Sequence, residues 1–247
     1  MAIRVPPGER ERAIALMLEL APEGFDEIDQ DGEIEFGVYT DGAGEARLRA
    51  VFDPVESTAV PPGWEDGWRA FHRPVEVAGL WIGPPWEMPP PGEPHVVIDP
   101  GRAFGTGAHP TTQLCVELLA GAARGSLVDV GCGSGVLSIA AARLGFAPLV
   151  AIDDDPVAIE ATRANAVANG VELEARVVDA LREPIPVADV AVANVLLAPV
   201  AAILERLVAT TVVTSGYLEG EVPAHLGWGR TSTVTLDGWA ADRFDRV

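Results

Sequence analysis

A chain of 247 residues, 48% of them apolar, is long enough for one large domain or two small ones and has too much apolar content for disorder. The formal net charge of −20 disfavours nucleic acid and anionic membranes as partners, whereas a basic protein would be attracted. All 17 basic residues are arginine, which excludes a Schiff-base lysine and a P-loop lysine.

Residues 1–60 predict a small α+β unit. A strand at "AIRVP" precedes a helix over 8–24, and the alternation in "EIEFGV" predicts a half-buried strand. A short helix around "GEARLRAVF" and a strand near "ESTAV" follow. The N-terminus is amphipathic and acidic, unlike a signal peptide, and no apolar run is long enough for a bilayer, so we expect a cytoplasmic protein. The core-facing positions of the helix and the alternating strand are Ile14, Met17, Leu18, Ala21, Ile34, Phe36 and Val38.

Residues 61–94 are rich in proline and tryptophan. They predict a linker with a short helix, then a strand, then a loop stiffened by proline. The tryptophans could form a binding surface, but tryptophans in such a linker more often seal two domains together. They are Trp64, Trp68, Trp81 and Trp86.

Residues 95–247 alternate between strands and helices. The strands at "LVDVG", "PLVAIDD", "LEARVVDA", "VADVAVANV" and "ATTVVTSGYL" are nearly continuous apolar runs, which predicts a parallel sheet covered on both faces. The helix between the second and third of these strands has clear end signals. Asp155 can cap it, Pro156 fits its first turn and Gly170 ends it.

The stretch "DVGCGSG" joins the first of these strands to a helix. Its glycines, Gly131, Gly133 and Gly135, follow Asp129, and Val136 occupies the position where a dinucleotide fingerprint needs glycine. This form suits a cofactor without a pyrophosphate, whose amino-acid moiety can lie on the backbone. The alternative is a turn that only packs the strand on the helix.

Acidic residues at the ends of the next two strands strengthen the first interpretation. Asp153 follows Gly131 by 22 positions, where a carboxylate can accept hydrogen bonds from both ribose hydroxyls of an adenosine. Asp179 follows the third strand, near the expected adenine amino group, or is an ordinary loop aspartate. Together these residues favour S-adenosylmethionine over a nicotinamide cofactor.

A glycine-threonine loop, "IDPGRAFGTGAHPTT", precedes the first strand of this sheet and feeds a helix. Thr111 or Thr112 can cap that helix. His109 is either a general base or a brace for the loop, and we favour the brace. No metal site is expected from the spacing of His, Asp and Glu, and two cysteines cannot form a disulfide framework.

Several stretches, in combination, resemble the bacterial methyltransferases of large-subunit ribosomal protein eleven, the PrmA family. They are "DPGRAFGTGAHPTT", "VDVGCGSGVLSIAAARLG", "AIDDDPVAIEATRANAVANG" and "VADVAVANVL", with the linker "WEDGWRAFHRPVEV" also similar. The resemblance implies a class I methyltransferase domain, an α/β fold with a Rossmann-like doubly wound sheet, over residues 95–247. It also implies a small ferredoxin-like domain over residues 1–60 that grips the substrate.

The same resemblance implies a set of residues that bind S-adenosylmethionine. Two of them would line the pocket from the upstream loop, and the others lie at the helix start, in the glycine loop and at two strand ends. The set is Phe104, Thr106, Thr112, Asp129, Gly131, Gly133, Asp153 and Asn194.

The implied reaction is methylation of amino groups, on lysine side chains or an N-terminal amine, of a basic ribosomal protein. It needs no strong base, and the sequence shows none, so the catalytic residues are unknown. A same-fold enzyme acting on another protein or a small molecule, or a non-catalytic S-adenosylmethionine-binding protein, are the alternatives. The sequence departs from the family in residues 1–60, which match only in outline. Its C-terminal part leaves room for only a stub of the last helix.

Overall fold

The computed structural model describes residues 1–21, 26–30, 33–38, 40, 42–52, 55–57, 73–99, 105, 107–223 and 227–247. The chain divides into two compact units, Met1–Glu65 and Asp66–Val247. In the described part of the chain, no helix combines the length and apolar character needed to cross a membrane.

The described part of the first unit is a four-stranded antiparallel sheet with two helices. Its elements are β1 (Ala2–Val5), a 3-10 turn (Pro7–Glu9), α1 (Arg10–Leu20), β2 (Asp26–Gln30), β3 (Glu33–Gly37), α2 (Gly42–Arg49) and β4 (Val55–Glu56). The strand order β2-β3-β1-β4 with this βαββαβ sequence is the ferredoxin-like arrangement that the resemblance implied.

The core of the first unit lies where the sequence predicted it. Met17 of α1 and Phe36 of β3 are fully buried, together with Ile3 and Leu48. The side chain of Leu18, predicted on the same helix face, lies outside the described part. Strand β2 was not predicted, because "DEIDQ" has one apolar residue and no alternation.

Residues 75–97 form a separate three-stranded sheet of β5 (Val75–Val77), β6 (Leu80–Gly83) and β7 (His95–Val97), in that order. Ile82, Val96 and Ile98 join the core of the second unit, so this stretch is part of that unit's packing. Trp81 is buried as well. Trp64, Trp68 and the short helix predicted near them lie outside the described residues.

A seven-stranded sheet dominates the second unit. Its strands are β8 (Leu127–Val130), β9 (Leu149–Asp153), β10 (Glu174–Val177), β11 (Val190–Asn194), β12 (Thr211–Leu218), β13 (Trp228–Leu236) and β14 (Trp239–Arg246). The order is β10-β9-β8-β11-β12-β14-β13, with the first five strands parallel. The helices in the described part of this unit are α3 (Pro110–Ala120), α4 (Val136–Leu144), α5 (Pro156–Asn169) and α6 (Leu197–Arg206).

This order confirms the predicted doubly wound sheet, because the winding reverses between β8 and β11, the switch point where such folds bind ligands. Both faces of the sheet are covered. In β11, Val190 and Val192 pack into one core cluster, whereas Ala191 and Ala193 pack into the other. Alternate residues of a strand point to opposite faces, which explains the continuous apolar run.

The end of the chain corrects the sequence analysis. Instead of a stub of helix, residues 228–246 form a hairpin of β13 and β14, and β14 inserts antiparallel between β12 and β13. Asp237 and Gly238 join the two strands with φ values of +51° and +80°. An Asp-Gly pair between apolar stretches is a strong signal for such a turn, but the hairpin was not predicted from it.

Candidate functional site

A cavity of about 490 Å³ opens at the carboxyl ends of the parallel strands. Its wall is formed by the ends of β9 and β11, by the segments that follow β8, β9 and β11, by a bulge inside β12, and by the first residue of β14. The start of α3 closes another side. Its volume is in the range of small-molecule and cofactor sites, and its position is the switch point of the sheet.

The glycine loop needs glycine for both conformation and space. Gly131, Gly133 and Gly135 have φ values of +75°, +54° and +80°, which side chains rarely adopt. A Cβ on Gly131 would lie 2.6 Å from Val195 Cγ1. Gly131 and Gly133 line the cavity, so a ligand can approach their backbone directly.

Asp153 ends β9 and lines the cavity beside Asp154. Its Oδ2 accepts a hydrogen bond from Gly133 N at 2.9 Å, and its Oδ1 accepts one from Asp155 N at 3.0 Å. Each carboxylate oxygen has a second lone pair, so the side chain is held by the backbone and can still accept hydrogen bonds from a diol. Asp155 itself caps α5 through Val157 N, as predicted.

Asp129 is not among the described residues that line the cavity, so its role as a direct cofactor contact stays a prediction. It is only 1% exposed, and its Oδ2 accepts hydrogen bonds from Ser138 N at 3.0 Å and Ser138 Oγ at 2.7 Å. Burial raises the pKa of Asp129 to about 6 despite these bonds. The side chain therefore ties β8 to the start of α4.

Asp179 also lies away from the lining of the cavity. Its Oδ1 accepts a hydrogen bond from Leu181 N at 2.9 Å, and its Oδ2 is 3.2 Å from a guanidinium nitrogen of Arg182. These are the contacts of an ordinary loop aspartate, the alternative that the sequence analysis left open.

The start of α3 brings three polar side chains to the cavity. The prediction that Thr111 or Thr112 caps this helix is wrong, because His109 is the cap residue and its Nδ1 accepts from Thr111 N at 3.4 Å. Thr111 Oγ1 lies 2.7 Å from the same nitrogen, and burial lowers the pKa of His109. Thr112 Oγ1 accepts a hydrogen bond from Asn194 Nδ2 at 3.4 Å, which links α3 to the end of β11.

Trp239 and Gly216 line the cavity from segments that were not predicted to contribute to the site. Trp239, the first residue of β14, packs edge-on against His109 with ring centroids 5.0 Å apart. Gly216 sits in a bulge of β12 with φ +104°, and a Cβ there would lie 2.0 Å from Val195 O. The missed hairpin explains Trp239, because only an antiparallel β14 brings its first residue to this edge.

Phe104 and Thr106, predicted to line the pocket, lie outside the described residues. Gly105 between them does line it, and Ser134 Oγ donates a hydrogen bond to Gly105 O. The upstream loop therefore reaches the glycine loop at this point. Among the described residues, no group of three or more His, Cys, Asp or Glu could hold a metal ion.

Comparison with known proteins agrees with this geometry. The model of the family described as ribosomal protein L11 methyltransferase (PrmA) matches residues 54–220. The chain belongs to the PrmA family. A curated relative named ribosomal protein L11 methyltransferase, from Azotobacter vinelandii (strain DJ), is 41% identical over 203 residues, covering 74% of this chain and 68% of the relative.

A relative with the same name, from Legionella pneumophila subsp. pneumophila (strain Philadelphia 1), is 37% identical over 194 residues, covering 72% of this chain. The match spans 66% of that relative's length. The crystal structure of ribosomal protein L11 methylase from Lactobacillus delbrueckii subsp. bulgaricus superimposes with a TM-score of 0.60 at 26% identity, covering 68% of this chain and 95% of that chain. The class I methyltransferase fold is thereby confirmed.

Proposed function

We propose that this chain is an S-adenosylmethionine-dependent methyltransferase that methylates amino groups of ribosomal protein L11. The observation that carries the proposal is the glycine-walled cavity at the sheet's switch point, with the Asp153 carboxylate at one end, in a chain of the PrmA family. The relatives named above are called L11 methyltransferases, which supports the substrate.

The residues around the cavity fit S-adenosylmethionine. We assign the Asp153 carboxylate to the ribose hydroxyls, and the bare backbone of Gly131 and Gly133 to the amino-acid moiety. Thr112 and Asn194 complete the described part of the cofactor set. The resemblance adds Phe104 and Thr106 to it, while Asp129 acts indirectly by holding the start of α4.

When bound, S-adenosylmethionine supplies a methyl group on a positively charged sulfur. An uncharged amine can bond to that methyl carbon and displace the sulfur. A lysine or N-terminal amine has a reference pKa of about 10.4 or 8 and must first lose a proton. Among the described lining residues, only Asp153 and Asp154 carry a carboxylate, and much of the remaining wall is apolar. Such a wall favours the neutral amine, so no strong base is required.

Asn194 is the residue that we assign to orienting the amine. Its Nδ2 donates to Thr112, so its Oδ1 is the atom that can accept a hydrogen bond from the amine. We also infer that the small unit, Met1–Glu65, presents the substrate. The net charge of −20 supports a basic ribosomal protein as the partner, encountered in the cytoplasm.

Calorimetry and a methyl-transfer assay test this proposal together. The purified chain should bind S-adenosylmethionine and S-adenosylhomocysteine, with far weaker binding of NAD. Incubation with S-adenosylmethionine and unmethylated L11 should add mass in steps of one methylene to L11. Cofactor binding without any methylated L11 would contradict the substrate, and tighter NAD binding would contradict the cofactor.

A further inference from the structure

The cavity has two ends with different chemistry. It extends across the sheet edge from β9 through β8, β11 and β12 to β14, four strand spacings or roughly 19 Å. Asp153 and the glycine loop form the β9–β8 end, which the proposed function gives to the cofactor. The end over β12 and β14, here called the acceptor end, is left for the amine that receives the methyl group.

Apolar side chains line the cavity between the glycine loop and the end over β12 and β14. Val195 and Leu196 follow β11 in the middle of the wall, Leu196 being 72% exposed, and Trp239 lies at the β14 end. No carboxylate is present among the described residues at this end, so nothing there holds an ammonium group by charge. A methyl acceptor can gain binding free energy there by burying hydrocarbon against the wall.

Trp239 is the largest side chain of this wall, and its position is fixed. Its ring meets that of His109 at an interplanar angle of 68°, and His109 is tied to Thr111. The backbone of Trp239 pairs with Leu218 on one side and Leu236 on the other. The Trp239 ring, held by two neighbouring strands and the cap of α3, is therefore a rigid apolar surface in the wall.

We propose that Trp239 selects the acceptor by packing along the methylene stem of a lysine side chain. The inference rests on the proposed function, because it needs the cofactor to occupy the Asp153 end. An N-terminal α-amine has no such stem between its nitrogen and the peptide backbone. Lysine ε-amines therefore depend on Trp239 for binding, whereas α-amines do not.

Two peptides and three variants test whether lysine and N-terminal amines differ in their dependence on Trp239. One peptide carries a lysine and an acetylated N-terminus, and the other has a free N-terminal amine and no lysine. Trp239→Ala should raise KM for the lysine peptide at least tenfold and for the α-amine peptide less than threefold. Trp239→Phe should keep most of the lysine activity. An equal rise in KM for both peptides would overturn the proposal.

Leu218→Ala is the matched control. Leu218 is 51% exposed and lies opposite Trp239 in the strand register, but it is not among the lining residues. Its replacement should change neither KM. Calorimetry with S-adenosylhomocysteine should show the wild-type affinity in all three variants, and a loss of that affinity in Trp239→Ala alone would assign the residue to the cofactor instead.

A binding measurement decides the inference even if no methyl transfer occurs. The full chain, labelled with 5-fluorotryptophan, should give a fluorine resonance for each of its six tryptophans, and the Trp239→Phe variant identifies the one from Trp239. In the presence of S-adenosylhomocysteine, the lysine peptide should shift that resonance, and the α-amine peptide should not. An unmoved Trp239 signal at saturating lysine peptide would refute the proposal. Failed methylation with a shifted signal would refute only the proposed reaction.

Discussion

Asp153 is oriented before any ligand arrives, because Gly133 N and Asp155 N each donate to one of its oxygens. Asp153→Asn keeps the shape of the side chain but replaces one acceptor with a donor and removes the charge. We expect the affinity for S-adenosylhomocysteine to fall at least tenfold, about 1.4 kcal/mol, as measured by calorimetry.

Asp237→Asn removes the same charge from the turn of the β13–β14 hairpin, where asparagine tolerates the positive φ of +51° equally well. Its cofactor affinity should match the wild type. If Asp153→Asn also matched it, the ribose contact would have to come from Asp154, the other carboxylate in the wall.

Asp129 should make the protein more stable in mild acid, the reverse of a paired carboxylate. Burial raises its pKa from 3.8 to about 6, so between these values the folded state binds more protons than the unfolded state. Its contribution to the free energy of unfolding therefore falls as pH rises from 4 to 6 and is constant above. Relative to Asp129→Asn, the wild type should gain about 2 kcal/mol between pH 7 and pH 4.

Denaturant melts of both proteins at several pH values give this difference. A wild type that loses stability relative to Asp129→Asn on acidification would show that the carboxylate is stabilised in its charged form. Cofactor affinity at neutral pH is the second measurement, because an indirect role predicts a smaller loss than Asp153→Asn gives.

Individual site residues could be predicted from the sequence where they lie at the ends of buried strands. Asp153 and Asn194 are the last residues of buried parallel strands, and such ends meet at one edge of the sheet. Asp129 lies inside β8, where side chains alternate between faces, and its direction could not be read from the motif. Trp239 was not found, because its place depends on an antiparallel pairing distant in sequence.

The bulge in β12 is the element whose geometry most restricts the cavity. Gly216 has φ +104°, and a Cβ would lie 2.0 Å from Val195 O, between the end of β11 and α6. Gly216→Ala should therefore shift the Val195 backbone, lower stability and weaken binding of S-adenosylhomocysteine. Calorimetry and a denaturant melt measure the two effects.

Gly220→Ala is a closely matched control for the bulge. Gly220 has φ +90°, but no atom lies within 4 Å of a Cβ there, so the substitution carries only the conformational cost of about 1–2 kcal/mol. Its cofactor affinity should not change. Equal behaviour of the two variants would mean that the close approach to Val195 has no consequence for the cavity.

Helices with clear caps and apolar strands were predictable as elements. The helix α5 begins after Asp155 and ends before Gly170, as its sequence indicates. Two kinds of strand were missed for physical reasons. The sequence of β2 is almost wholly polar, β13 is a partly exposed edge strand rich in threonine, and β14 carries charged residues among its buried ones. None of these strands resembles the continuous apolar runs of the buried parallel strands.

On the scale of the whole molecule, the two units have separate cores. Ile3, Met17, Phe36 and Leu48 belong to a cluster in the first unit, and every described lining residue of the cavity belongs to the second. Removal of residues 1–65 should leave binding of S-adenosylhomocysteine within threefold but abolish methylation of L11. Calorimetry and mass spectrometry measure the two outcomes, with circular dichroism to verify folding.

A truncated chain that methylates L11 at the full rate would contradict the substrate-presenting role of the first unit. A truncated chain that is folded but no longer binds the cofactor would show that the first unit supports the cavity. The first result leaves the proposed reaction standing, because the cofactor and acceptor residues all lie in the second unit.

The insertion of β14 between β12 and β13 makes this half of the sheet depend on a single strand. If residues 239–246 detach, β13 loses the strand with which it pairs and the edge of β12 is exposed. An open edge is a template for pairing with other chains. Local unfolding of β14, or its removal by a protease, should therefore promote aggregation of the protein.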